Sequence, residues 1–236
     1  MCIRDRFQPA ALFHPGKTPA IDFATALFSI IFSSVILSNL IYYLIELLEK
    51  FNFHIPSVDA AIPSPQTPLQ IFVLFFTMAL LPAICEEFVY RGILKGSLQT
   101  LSAKAAILFS SIAFGLMHGT AEQVPFAFCL GLVLGFFSIK TENFFLVVAA
   151  HFCNNFLSCL SLTVNNSRFD SVSNIAIIVI GLISLVIFFK RNGFRFKKEK
   201  ETISFAEAAK AGSRSVFFWL FTAIYVSYTV ITTLSL

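Results

Sequence analysis

The chain has 236 residues, of which 57% are hydrophobic and 13% charged, with a mean hydropathy of +0.81. Soluble domains run nearer about 45–50% apolar and about 25% charged, so this is a membrane chain; intrinsic disorder and a nucleic-acid-binding surface module are excluded. The apolar runs are continuous rather than alternating, which excludes an outer-membrane barrel, and the net charge of +4 is concentrated in one segment near the C-terminal end.

A spanning helix needs roughly 20 mostly apolar residues. Seven runs are predicted: 21–45, 69–94, 103–118, 124–139, 144–164, 172–189 and 216–234. They predict an all-α fold, a polytopic transmembrane helical bundle of about seven spans, or eight if a helix precedes the sequence. Met1 to Arg6 reads as translated adapter text, so residues 1–20 count as an N-terminal flank and 21–236 as a single membrane-embedded bundle. Between the first two runs, Pro56, Pro63, Pro65 and Pro68 in a polar context mark an extramembrane loop. With the amino terminus in the cytoplasm, alternation puts Lys17, Lys95, Lys104, Lys140 and the basic segment 190–214 on that side, leaving Lys50 and Arg168 outside. This threading predicts a multi-pass protein of the bacterial cytoplasmic membrane, its basic segment held against anionic lipid. The pairs Gly92/Gly96, Gly115/Gly119 and Gly131/Gly135 are candidates for close helix approach. Cys85, Cys129, Cys153 and Cys159 lie within apolar runs and read as small hydrophobes.

Against this apolar background Glu86, Glu87, Arg91, His118 and His151 stand out. An Asp, Lys or Arg at a helix centre costs about 2.5–3.5 kcal/mol on insertion scales, a burden retained where such groups pair or serve a function. Residues four apart share a helix face, so Glu87 pairs with Arg91, and Glu86, about 100° away, has no cation in its own helix and is free to act as a general base. Pro82, one turn before Glu86, is expected to kink the helix. Phe114 and His118 share a face of the third run, as do His151 and Asn155 in the fifth. Two acids, an arginine, two histidines and an asparagine on three spans suffice to assemble a hydrolytic centre away from bulk water.

The ordered pattern Glu-Glu-x-x-x-Arg (Glu86, Glu87, Arg91), Phe-x-x-x-His (Phe114, His118) and His-x-x-x-Asn (His151, Asn155) resembles the CPBP intramembrane endopeptidases. These are the type II CAAX prenyl protease and bacteriocin-processing, Abi-like group. The resemblance covers about residues 70–165, the peptidase core, and implies an intramembrane endopeptidase acting on a membrane-associated or CAAX-like substrate. It implies that Glu86 and His118 activate a water, that His151 and Asn155 stabilise the oxyanion, and that Glu87 and Arg91 position the site. Zn²⁺ held by Glu86, His118 and His151 is the metallo alternative; a metal-free, glutamate-dependent site is preferred, because Asn155 suits hydrogen-bond donation better than zinc ligation. His-Glu-x-x-His and Gly-x-Ser-x-Gly do not occur, and Asp5, Asp22, Asp59 and Asp170 lie at or beyond span ends, against zincin, serine and aspartyl sites. The partners expected are the bilayer and a peptide or membrane-protein substrate, with no nucleic acid. An ion-coupled transporter and a silent immunity or scaffold protein on the same fold are the alternatives.

One tension accompanies this reading. If the second and third helices stood straight, with the second ending soon after Arg91, Glu86 and His118 would lie about 15–20 Å apart in depth at 1.5 Å rise per residue. A shared site requires the second helix to be long and tilted, running on through Arg91 to about residue 98, or the third run to start in the cytoplasm and rise less steeply.

Overall fold

The computed structural model describes residues 18–53, 55, 64–99, 102–195, 203–214 and 216–235; Met1 to Arg6 lie outside them. These residues form helices and no strand. They are α1 (Ala20–Glu49), α2 (Pro68–Gln99), α3 (Ala103–Met117), α4 (Gln123–Thr141), α5 (Phe144–Val164), α6 (Ser167–Asn192), α7 (Phe205–Ser213) and α8 (Val216–Ser235). Seven of them coincide with the seven apolar runs. Among the described residues, α1, α2, α4, α5 and α6 are long and apolar enough to cross a membrane. By contrast, α3 and the stretch Trp219–Ile231 of α8 are apolar but shorter. The chain is a polytopic helical bundle. Helix α7 is the addition to the expected elements; it lies in the basic segment, its first turn closed by a reciprocal pair in which Ser204 N–H donates to Glu207 Oε2 and Glu207 N–H to Ser204 Oγ.

The two ends of the bundle are tied differently. At one end Arg191 of α6 meets Asp22 of α1 at 2.6 Å, and Lys95 of α2 donates to Ser138 of α4 at 3.0 Å. There too Lys140 donates to the Asn192 carbonyl at 2.8 Å, capping the last carbonyls of α6 as a cation does best. At the other end Ser161 of α5 donates to Asp170 of α6, and Asn166 caps α6 through its side-chain oxygen. Basic residues thus collect at the first end. Between the ends, Ala26, Ile30, Leu130, Leu134, Phe137, Leu146, Val147 and Phe188 form the largest apolar core, shared by α1, α4, α5 and α6.

Two features of the backbone position the polar residues. First, α2 continues to Gln99, five residues beyond its apolar run, so Glu86 lies roughly 20 Å from that end at about 1.5 Å per residue. His118, at the far end of α3, lies a similar distance from Ala103. The depth tension is resolved by helix length, as the first of its two solutions required. Second, α3 stops short because Gly119 takes a left-handed φ of 69°, the usual way to end a helix, and any Cβ there would collide with the Tyr228 ring of α8. That stop leaves His118 at the helix terminus.

The α3–α4 seam is set by glycines. A Cβ on Gly115 would come within 2.8 Å of Phe128, and one on Gly131 within 3.0 Å of Ser111. Of the predicted pairs, Gly131 and Gly135 both meet α3 here, and Gly115 meets α4, whereas its partner Gly119 meets Tyr228 of α8 instead. Gly92 differs: its nearest neighbours stand at 3.8 and 3.9 Å, ordinary van der Waals distance, so the expected close approach does not occur there.

Candidate active site

The glutamates sit on a stretch of α2 bounded by two π-helical segments, Phe76–Leu80 before and Phe88–Leu94 after. Backbone N–H groups reach five residues back at each, Leu81 to Phe76 and Lys95 to Tyr90. Pro82 stands two residues after the first segment ends. Since proline crowds the carbonyl four residues earlier and offers no N–H, the helix accommodates it by widening here. Segments of this kind occur often at functional sites.

Glu87 is fully buried and held from two sides. Its Oε1 accepts from Arg91 Nη1 at 2.8 Å and from His151 Nδ1 at 2.8 Å. The predicted Glu87–Arg91 pair is present. The same arginine donates from Nη2 to the Gly131 carbonyl of α4 at 3.3 Å and lies 4.3 Å from the Phe114 ring centroid, a cation–π contact. The Gly131 carbonyl of α4 thus lies within reach of a side chain on α2.

Phe114, 1% exposed, is the hub of the site. Edge-on against it pack Tyr90 at 5.3 Å, His118 at 4.9 Å and His151 at 5.7 Å between ring centroids. Three elements thus converge: α2 brings Glu86, Glu87 and Arg91, α3 brings Phe114 and His118, and α5 brings His151.

The two imidazoles are oriented alike. His118 Nδ1 lies 2.9 Å from the Phe114 carbonyl, and His151 Nδ1 meets the Glu87 carboxylate. Both partners are acceptors, so each Nδ1 carries the proton and each Nε2 is turned to the other side of its ring. His151 Nε2 stands 3.7 Å from Glu86 Oε2, too long for a direct hydrogen bond. Glu86 differs from its neighbour in exposure and in partners: its side chain keeps 21% exposure where Glu87 has none, and it takes no hydrogen bond from the described residues where Glu87 Oε1 takes two. Glu87 Oε2 and Arg91 Nε are likewise unmatched, a concentration of unmet polarity that calls for a chemical explanation.

Asn155 follows His151 by one turn of α5 and is half-buried. Its carbonyl oxygen accepts from Asn154 Nδ2 at 3.0 Å. That bond engages its oxygen and leaves its own amide nitrogen as a donor with no acceptor among the described residues. Contacts link Glu86, Glu87, Arg91, Phe114, His118 and His151 into one chain, whereas Asn155 stands beside them with Asn154 as its partner. The residues that sequence reasoning missed are the Gly131 carbonyl and Asn154. The first had a signal in the Gly131/Gly135 spacing, and the second in the double asparagine.

A metal ion would need three or more ligands in reach. Among the described residues no group of three His, Cys, Asp or Glu is arranged to hold one.

Neither the curated proteins nor the solved structures match this chain. Residues 68–157, which carry Glu86, Glu87, Arg91, Phe114, His118, His151 and Asn155, match the family described as type II CAAX prenyl endopeptidase Rce1-like, so this segment of the chain is similar to that family.

Proposed function

We propose that this protein hydrolyses a peptide bond of a lipid-anchored, CAAX-like substrate inside the membrane, with Glu86 as the base and no metal ion. One contrast carries the assignment. Of two adjacent glutamates, Glu87 is fully buried with one oxygen bonded to both Arg91 and His151, while Glu86 accepts no hydrogen bond from the described residues and remains partly accessible. A general base must be free to take a proton and within reach of the nucleophile, which suits Glu86 alone.

In this reading a water donates to Glu86, with His118 Nε2 as the second acceptor, and attacks the scissile carbonyl as Glu86 takes its proton. The carbonyl oxygen gains charge and is met by the side-chain amide of Asn155. His151, anchored at Nδ1 by Glu87, presents Nε2 to the same space and donates when it carries a second proton. Donors fixed before the reaction are worth most where water is excluded. Collapse of the tetrahedral intermediate breaks the C–N bond, and Glu86 returns the proton to the leaving amine. The bundle lies with its basic end, Lys95, Lys140 and Arg191, toward the cytoplasm.

The test is cleavage of a fluorogenic prenylated peptide ending in Cys-aliphatic-aliphatic-X by purified full-length protein in nanodiscs, in ¹⁸O-enriched water with a chelator present. One ¹⁸O in the new carboxylate, at an unchanged rate, is expected. Activity abolished by chelator and restored by Zn²⁺ would overturn the metal-free mechanism, and absence of any cleavage would overturn the proposed substrate.

A further inference from the structure

Four hydroxyl residues of α1 face the bundle, and one behaves differently from the rest. Thr25, Ser29 and Ser33 each donate to the carbonyl four residues earlier in their own helix, the habitual way a hydroxyl is satisfied in an apolar setting. Ser34, 3% exposed, donates instead across the helix interface to Asn154 Oδ1 on α5. With its oxygen so engaged, Asn154 directs Nδ2 to Asn155 Oδ1. No described residue accepts from Asn155 Nδ2.

We infer that Ser34 and Asn154 form a positioning relay that fixes the Asn155 side-chain amide with its N–H groups, rather than its oxygen, toward the reacting carbonyl. The inference rests on the donor role proposed for Asn155. An asparagine amide presents either face at little intrinsic cost, and its orientation is decided by the hydrogen bonds it makes. Turned the other way, Asn155 would offer an acceptor to a developing oxyanion and would oppose the reaction. The relay runs Ser34 O–H to Asn154 oxygen, then Asn154 N–H to Asn155 oxygen, each amide passing the same polarity on. Ser34 lies outside residues 68–157, so α1 contributes to the site from beyond the matched segment.

Two measurements test this, and the first needs no substrate. In full-length protein labelled with ¹⁵N-asparagine in nanodiscs, Ser34→Ala should shift the side-chain amide signals of both Asn154 and Asn155. The signal of Asn39, bonded within α1 to the Val35 carbonyl, should stay. A shift at neither residue, or at Asn154 alone, would overturn the relay. The second reads cleavage of the prenylated peptide. Ser34→Ala should lower kcat about tenfold with KM unchanged, as loss of a group that orients a catalytic one does, and Ser34→Thr should restore part of it. In the Asn155→Ala background, Ser34→Ala should cost nothing further; an independent loss there would make Ser34 a packing residue only. If the wild type cleaves no peptide the proposed activity fails, yet the amide signals still decide the relay.

Discussion

Two ion-paired regions of this bundle use the same residue types to different ends. At the basic end Asp22 and Arg191 meet at 2.6 Å, with Arg191 still 47% exposed. In the middle Glu87 and Arg91 meet at 2.8 Å with no exposure on either side, and the carboxylate also anchors His151. Water shares the first pair and weakens each partner's dependence on the other. The second has only protein around it, so each partner is the condition for burying the other. Beside that buried set stands Glu86, with no hydrogen bond from the described residues and only His151 Nε2 near it at 3.7 Å. The middle of the bundle therefore separates structural from reactive charge within two consecutive residues.

Several substitutions should sharpen the contrast, taken from the largest effect down. Glu86→Gln should lower kcat by roughly 10³-fold or more, since a general base contributes about 10²–10⁴-fold, while leaving the thermal transition in place; cleavage rate and melting in the same detergent measure both. Arg91→Met should act the opposite way, destabilising by about 3–5 kcal/mol because Glu87 is left buried and uncompensated. Chemical denaturation and the yield of folded protein would show this. Gly115→Ala should cost about 1–3 kcal/mol by forcing α3 from α4 at Phe128, and a comparable loss is not expected at Gly92, where the space is ordinary. Asp22→Asn should cost about 1 kcal/mol or less and should matter less still at high salt. The smallest effect concerns α7. The Ser204 backbone N–H and hydroxyl hold the Glu207 carboxyl below the usual carboxylate range. A depressed carboxylate stabilises above its unfolded value, and that contribution is lost as pH falls through its folded value, so the protection factors of the first-turn amides of α7, with the intrinsic rate at each pH divided out, should fall in acid.

Much of this was legible in sequence, and for identifiable reasons. Charge in an apolar run is costly, so Glu86, Glu87, Arg91, His118 and His151 announced themselves. The four-residue spacing paired Glu87 with Arg91 before any coordinates. Helix length was less visible: polar Lys95, Ser97 and Gln99 ended the apolar run of α2 at residue 94, although the backbone continues to Gln99. The hydropathy pattern reports lipid contact, whereas Lys95 stays helical by finding Ser138 inside the protein. The anchoring of His151 by Glu87 was also hidden, because spacing along one helix says nothing about the rotation of its neighbour. Helix α7 carried a signal that composition obscured: Ser204 and Glu207 form a capping pair inside a segment whose charges suggested only an anchor. Ser34 had none, since a lone serine in an apolar helix ordinarily bonds its own backbone.

The central claim is that Glu86 reacts and Glu87 holds. It is tested most directly by comparing Glu86→Gln and Glu87→Gln in nanodiscs, reading cleavage of the prenylated peptide and thermal stability on the same samples. The account predicts a Glu86→Gln protein as stable as wild type and inactive, and a Glu87→Gln protein whose loss of activity accompanies a loss of stability. A Glu86→Gln protein that cleaves at the wild-type rate, or a Glu87→Gln protein that is inactive yet fully stable, would contradict it.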